Sequence, residues 1–558
     1  MPFIEAKEIK LQAMLSNAQE AYKVPLYQRP YTWTKGHWED LFEDIMGLEN
    51  GKIHFLGSIV VVPEGEHRLG VNYFQVVDGQ QRIATLLIWL SAIRDISKEK
   101  GNYKLAKYLT DTFLFAKEWE SGRQKQIPKL QLGKLDDEAF QKVLEGKHKD
   151  GRHSIFECYK FFKDKMQNEN LWQKLVNNIS VVHINAFNHF NAFRLFETLN
   201  DRGLELSAAD LIKNFVLMKV SSNENIFNTT IDEWTEMYEK VRDYEPVKFI
   251  RRYILSIWKG KISEKKLYDE VSSKLNREEP KNICDFIRNL NAAATVYKKI
   301  LECDLSYDRL NKKLEDLRSV EVAPSFTLLL KVIPYLGKGL SEQDVLDIMK
   351  MIETFHIRWG ICGQSTSKLD QIYNEICMEL QNKEPKEFNG IIRQKLSQEI
   401  KNNVDDEIFK RNFASRSFKP TEPRTKYILW KLSNPTGETS LNIKEIQTEH
   451  IMPKTLSAEW INYLKTHTSK TEGEIDALHK ENLDRIGNLT IIRGEWNISM
   501  SNKLFNEKKN YYERSEFQIT QKLTSYDKWT FNEIENRTNE MAEEALKIWN
   551  LELKGHIT

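Results

Sequence analysis

Hydrophobic and polar positions change their period along this chain, and the changes mark its elements. Up to about residue 220, β-rich runs at Val24–Tyr31, His54–Val62 and Tyr73–Val77 predict strands, whereas Trp38, Leu41, Phe42 and Ile45 fall on one face of a helix. Phe74–Val77, a tight Asp78–Gly79 turn and the apolar positions Ile83, Leu86, Leu87 and Leu90 predict strand, turn and core-facing helix. From about 221 to 410 the chain runs in long charged amphipathic segments. Leu267, Val271 and Leu275 recur every fourth residue, and Glu342–His356 reads the same way. The polar, Pro-containing stretch Ser415–Lys426 marks a boundary, after which short strands and loops are predicted, with Trp460, Trp496 and Trp529 spaced through them. The expected organisation is an α/β domain over 1–220, a helical middle domain over 221–410 and a third domain over 411–558, with no internal repeat.

Composition sharpens this picture. Gly and Pro supply only 24 and 14 of 558 residues, so turns are sparse and helix should dominate an α+β multidomain protein. With 40% hydrophobic and 11% aromatic residues the chain can bury large cores, which excludes wholesale disorder. A net charge of +1 confines any nucleic-acid surface to a local patch. The five cysteines are scattered without a CxxC, which argues against a disulfide framework or cysteine zinc site and for a reducing cytoplasm. The N-terminus lacks a basic-then-apolar signal, and apolar stretches such as Ile83–Ile93 are too short to span a bilayer, so a soluble intracellular protein without membrane contact is expected.

In the first region, polar residues gather where the helix after Gly79 begins. Unpaired N–H groups and the positive end of the helix dipole favour an anion there, Gly79 allows close backbone approach, and Arg82 adds a guanidinium that can grip phosphate. Asp78, Gly79, Gln80, Gln81 and Arg82 therefore outline a phosphate site, although an ordinary turn with Asp78 as N-cap fits the same spacing. No GxxxxGK[ST] is present, which excludes a P-loop. In KVPLYQRPYTW, Tyr27, Tyr31 and Trp33 surround Gln28 and Arg29, a mixture suited to stacking on a base while bonding its edge; an aromatic edge strand interrupted by Pro25 and Pro30 is the alternative. Ser207 and Asp210 make a capping-box-like helix start, with Asn200 and Lys213 as weaker site candidates.

Near the C-terminus, Glu449 and His450 are adjacent, Pro453 ends their strand, Asn488 opens a second β-rich run, and Asn497 follows nine residues later. This strand-strand-helix spacing resembles that of HNH, or ββα-metal, nucleases. A hard divalent cation, Mg²⁺ or Mn²⁺, would take oxygen from Glu449 and Asn497. His450 would deprotonate water, with Asn488 orienting its ring through a carbonyl acceptor. Asn502, Lys503, Lys508 and Lys509, with Arg514, would form a basic face for backbone phosphates.

Taken in order, YQRPYTW, HFLGSIV, DGQQR and FETLNDRGLELSAADLIKN resemble the N-terminal domain of the GmrSD family of modification-dependent (type IV) restriction enzymes, a domain similar in fold to ParB and sulfiredoxin. EHIMP, GNLT, a following Asn, SNKLFNEK and a late Trp resemble that family's C-terminal nuclease domain. The resemblance implies a nucleoside triphosphate (GTP, ATP or another) bound and hydrolysed at Asp78–Arg82, and metal-dependent cleavage of double-stranded, modified phage DNA. A homodimer is compatible with it. Glu449 stands where broader HNH nucleases commonly carry Asp, and this one-methylene difference weakens its assignment as a ligand relative to the base role of His450. Two alternatives share every motif: a phosphorothioate-sensing NTPase and nickase, in which Tyr27 and Gln28 read the backbone modification, and a ParB-like DNA-binding regulator with an inactive nuclease site.

Overall fold

The segment Gln80–Glu99 is apolar nearly all round, and it forms the central helix of a core. Ile83, Leu86, Leu87 and Leu90 are fully buried as their spacing predicts, and Trp89 stacks on Phe162 with ring centroids 4.5 Å apart. Three small polar residues on this helix are buried with their hydroxyls satisfied, each donating one turn back: Thr85 to Gln81, Ser91 to Leu87 and Ser97 to Ile93.

These features come from a computed structural model that describes residues 4–25, 28, 30–49, 51–68, 70–120, 123–133, 136–147, 151, 153–166, 171–187, 192, 207–434, 445–494, 500 and 502–551. The protein is 65% helical with a mixed sheet in its N-terminal region, the α+β multidomain class expected. It forms two compact units, Met1–Ile250 with Ser263–Ala294, and Arg251–Ile262 with Thr295–Thr558. Among the described residues no helix is long and apolar enough to cross a membrane.

In the first unit a six-stranded sheet has the order β1-β8-β3-β4-β2-β7, with β1 (Ile4–Lys10), β2 (Glu20–Lys23), β3 (His54–Arg68), β4 (Val71–Asp78), β7 (Leu130–Gln131) and β8 (Ile179–Ala186). Strands β5 (Phe115–Glu120) and β6 (Arg123–Pro128) form a separate ribbon. The predicted runs at 54–62 and 73–77 fall inside β3 and β4. Of the predicted run Val24–Tyr31, the described residues lie outside any strand: β2 ends at Lys23, one further bond runs from the Val24 amide to the Gln131 carbonyl at 2.8 Å, and Pro25 offers no N–H to continue the ladder. Ser207 caps the helix Ala208–Val220, its hydroxyl accepting from the Asp210 amide at 3.2 Å.

The second unit is built around the helix Glu342–Ile361, whose buried charges are all partnered. Glu353 pairs with Lys313 and accepts from Tyr427 Oη at 2.8 Å and Trp549 Nε1 at 3.1 Å. Where short strands and loops were expected after residue 426, β9 (Ile446–His450) and β10 (Leu489–Arg493) are the only strands among the described residues. The helices Ala458–Thr468, Glu472–Asn482, Phe505–Glu513 and Phe531–Ile548 carry most of the rest, around a core of Trp460, Phe505, Tyr512 and Trp529.

Candidate functional site

Strands β9 and β10 run antiparallel, with His450 opposite Leu489 and Glu449 opposite Thr490. Neighbouring side chains on a strand point to opposite faces, so Glu449 and His450 have different surroundings. His450 keeps 17% side-chain exposure and places Nε2 3.0 Å from Asp484 Oδ1. Burial is the largest influence on the imidazole and lowers its pKa; Asp484 opposes this, and Lys508 and Lys454 reinforce it. Facing an ionised carboxylate that is one-third exposed, Nε2 donates its N–H to Asp484 Oδ1, which leaves Nδ1 as the nitrogen able to accept a proton.

Glu449 lies on the buried side. Its Oε1 accepts from Lys508 Nζ at 2.6 Å, and the Lys508 side chain is wholly buried. Burial raises the Glu449 pKa and lowers that of Lys508, and each partner opposes the other's shift. Asn488, also fully buried, donates to the carbonyls of Met452 at 3.1 Å and Leu483 at 2.9 Å, while its Oδ1 accepts from the Met452 amide at 2.8 Å and Trp529 Nε1 at 3.3 Å. Just before it, Gly487 meets the helix Phe531–Ile548 so closely that a Cβ would run into Ile534 and Thr538. Arg537 of that helix donates to the carbonyls of Gly487 at 2.6 Å and Leu489 at 2.8 Å.

In the first unit, the two motifs that the sequence separates by some fifty residues come together. Gln81 Nε2 donates to the Pro30 carbonyl at 3.0 Å, and its Oε1 accepts from the Thr32 amide at 2.8 Å. Gln28 donates to the Val77 carbonyl at 3.0 Å and accepts from Gln80 at 3.5 Å. The helix begins at Gln80 after Gly79, whose φ of +97° an L side chain rarely adopts, so Asp78 is the last residue of β4 and not the N-cap. Arg82 donates to the Ser58 carbonyl and lies 3.8 Å from Asp78 Oδ2.

Two family models match these regions: the N-terminal domain of GmrSD restriction endonuclease over residues 11–217, and the C-terminal domain of GmrSD restriction endonucleases over 403–544. The chain belongs to the GmrSD family of restriction endonucleases. No curated protein matches it.

Several expectations for this GmrSD chain are corrected by its geometry. Asn488 does not orient His450, because both its side-chain groups are committed to the main chain and Trp529; the group on the ring is Asp484. Sequence reasoning passed over that residue as one acid among 81 Asp and Glu. Lys508 is not on a basic surface. Asn502 and Lys503 are exposed, while Lys509 is half-buried and donates to the Tyr526 carbonyl at 2.8 Å. Tyr31 is no stacking platform: it is buried, with its hydroxyl 2.6 Å from Thr85 Oγ1 and accepting from Trp38 Nε1 at 2.9 Å. Trp33 is half-buried and stacks on His37 at 5.7 Å. Tyr27, Arg29, Asn200, Trp496 and Asn497 lie outside the described residues.

The donor chemistry bears on where a cation could sit. Glu449 does not fit as a ligand, since its carboxylate is buried as the counter-ion of Lys508. The Asp484 carboxylate fits, being partly exposed and offering the hard oxygen that a divalent cation takes. Among the described residues no group of three or more His, Cys, Asp or Glu could hold a metal.

Proposed function

We propose that this restriction endonuclease cuts modified, double-stranded phage DNA at His450, under the control of a nucleoside triphosphate bound at Asp78–Arg82. The observation that carries the reading is the His450–Asp484 contact at 3.0 Å on the partly exposed side of an antiparallel strand pair, within the C-terminal family match. The neutral imidazole accepts a proton from water, and the Asp484 carboxylate fixes the tautomer and stabilises the imidazolium that forms. A strand-strand-helix order, β9, β10 and Phe505–Glu513, supports assignment to the HNH class. A Mg²⁺ or Mn²⁺ ion held by Asp484 would supply charge neutralisation at the scissile phosphate. The exposure of Asn502 and Lys503 ahead of Phe505–Glu513 supports a role for both in meeting backbone phosphates.

Nucleotide binding at the DGQQR turn is supported by the helix N-terminus after Gly79 and by Arg82 beside it, whose side chain is partly exposed. Gln28 joins this turn to the segment read as modification-sensing, so one cluster would report on both ligands.

The test is cleavage of matched unmodified, glucosyl-hydroxymethylcytosine and phosphorothioate DNAs with Mg²⁺ or Mn²⁺, with and without nucleoside triphosphates, alongside His450→Ala and Arg82→Ala. Selective cutting of glucosylated DNA that His450→Ala loses, and nucleotide turnover that Arg82→Ala loses, are expected. Selective nicking of phosphorothioate DNA would favour the backbone-sensing alternative. Hydrolysis of nucleotide with no cutting would favour the regulator.

A further inference from the structure

The Lys508 ammonium has three protons to give, and three acceptors surround it: Glu449 Oε1 at 2.6 Å, the His450 carbonyl at 3.0 Å and the Ile451 carbonyl at 3.2 Å. These belong to three consecutive residues, the last two of β9 and the first beyond it. A buried ion pair alone needs only the carboxylate, yet two of the three bonds go to the main chain that carries the His450 side chain. The helix Phe505–Glu513 that holds Lys508 is rooted in the core by Phe505, stacked on Trp529 at 5.2 Å, and by Tyr512. On the other side, Asn488 clamps Met452 through its amide and its carbonyl. The turn that leaves β9 is therefore held from two directions, and His450 projects from it toward Asp484.

We infer that Lys508 is a positioning residue for His450, fixing the main chain at 450 and 451 so that the imidazole keeps its aim, with Glu449 as its neutralising partner. This rests on the reading of His450 as the proton acceptor for cleavage. The competing view, that Lys508 only compensates the charge of Glu449, makes different predictions. If it held, removing both charges together would restore everything.

The experiment compares Lys508→Met, Glu449→Gln, the double variant and His450→Ala in the full-length protein. Cutting is assayed on the DNA of the three-substrate panel that the parent cleaves, and amide hydrogen exchange is followed in parallel. The expected result is that Lys508→Met lowers kcat by about 100-fold with KM for DNA little changed, a loss confined to the transition state. The double variant should recover the parent's melting temperature but not its kcat. Peptides over 446–453 should exchange about tenfold faster in both Lys508 variants, with protection of Phe531–Ile548 unchanged. Glu449→Gln, which keeps an acceptor for Lys508, should stay within about tenfold of the parent.

Recovery of kcat in the double variant would overturn the proposal, as would unchanged exchange at 446–453 or equal loosening of the whole unit. Glu449→Gln as inactive as His450→Ala would also overturn it, by placing the carboxylate at the reaction itself. Parent-level cutting by His450→Ala would instead sink the reading of the cleavage centre. The exchange result needs no cleavage, so it decides the anchoring of 450 and 451 even if none of the three DNAs is cut.

Discussion

Gly79 lies against Ile59 with no space for a side chain: a Cβ there would stand 3.0 Å from Ile59 Cγ1 and 3.3 Å from its Cα. Its φ of +97° adds a conformational cost to the steric one. Gly79→Ala should destabilise the first unit by about 1–3 kcal/mol and abolish nucleotide turnover, because the helix start shifts from β3. Gly36→Ala is the control, as nothing lies within 4 Å of its Cβ; urea unfolding should show it unchanged or slightly more stable.

Asp484 holds the ring of the proposed base, and Asn at that position keeps the shape while losing the charge. Asp484→Asn should lower the cutting rate at saturating DNA by about 10²–10⁴-fold, with the melting temperature within a few degrees of the parent. A parent-like rate would remove Asp484 from the cleavage centre.

Asn488 makes four hydrogen bonds in a fully buried position. Asn488→Ala should cost about 2–4 kcal/mol in denaturant unfolding of the second unit, through the unpaired carbonyls and amide it leaves behind. The same variant should lose cutting in parallel with folded fraction, which separates a structural role from a chemical one.

Stability against acid should fall in two stages. His356 is buried against Tyr373, stacked at 5.8 Å, and burial, reinforced by Arg424, lowers its pKa to about 3 from 6.5. Below pH 6.5 the unfolded chain therefore takes a proton that the folded one refuses, which costs about 3 kcal/mol by pH 4. Burial pushes the Glu353 carboxyl up, but Lys313 and Lys431 outweigh it and hold the pKa at about 2 against 4.5. Its contribution is present above pH 4.5 and lost as pH falls toward 2. Replacing His356 with Phe should remove the fall in unfolding free energy between pH 6.5 and 4.5, measured by urea unfolding at each pH, and leave the fall below pH 4.5 in place. An unchanged pH dependence over that interval would contradict this assignment.

Much of this was legible where one period dominates a segment. Leu267, Val271 and Leu275 are buried on a helix that runs Leu267–Leu275, and Glu342–Ile361 was visible in outline. Val24–Tyr31 misled because aromatic β-formers outweighed two prolines in the pattern, yet the ladder answers to N–H groups. Lys508 and Lys509 look alike in composition. Only helical phase separates them, since Phe505, Lys508 and Tyr512 recur at the spacing of one buried face. Asp484 carried no such mark, because its meaning depends on a turn brought beside β9 by strand pairing across two intervening helices.

The bonds from Arg537 to Gly487 and Leu489 span 50 and 48 residues of sequence. During synthesis, the strand opposite His450 thus lacks its support until the helix Phe531–Ile548 has been made, seconds after the motif residues at the usual pace of translation. A chain grown only as far as β10 would hold the residues of the proposed cleavage centre without the support that fixes them, and cutting competence would wait on the helix Phe531–Ile548.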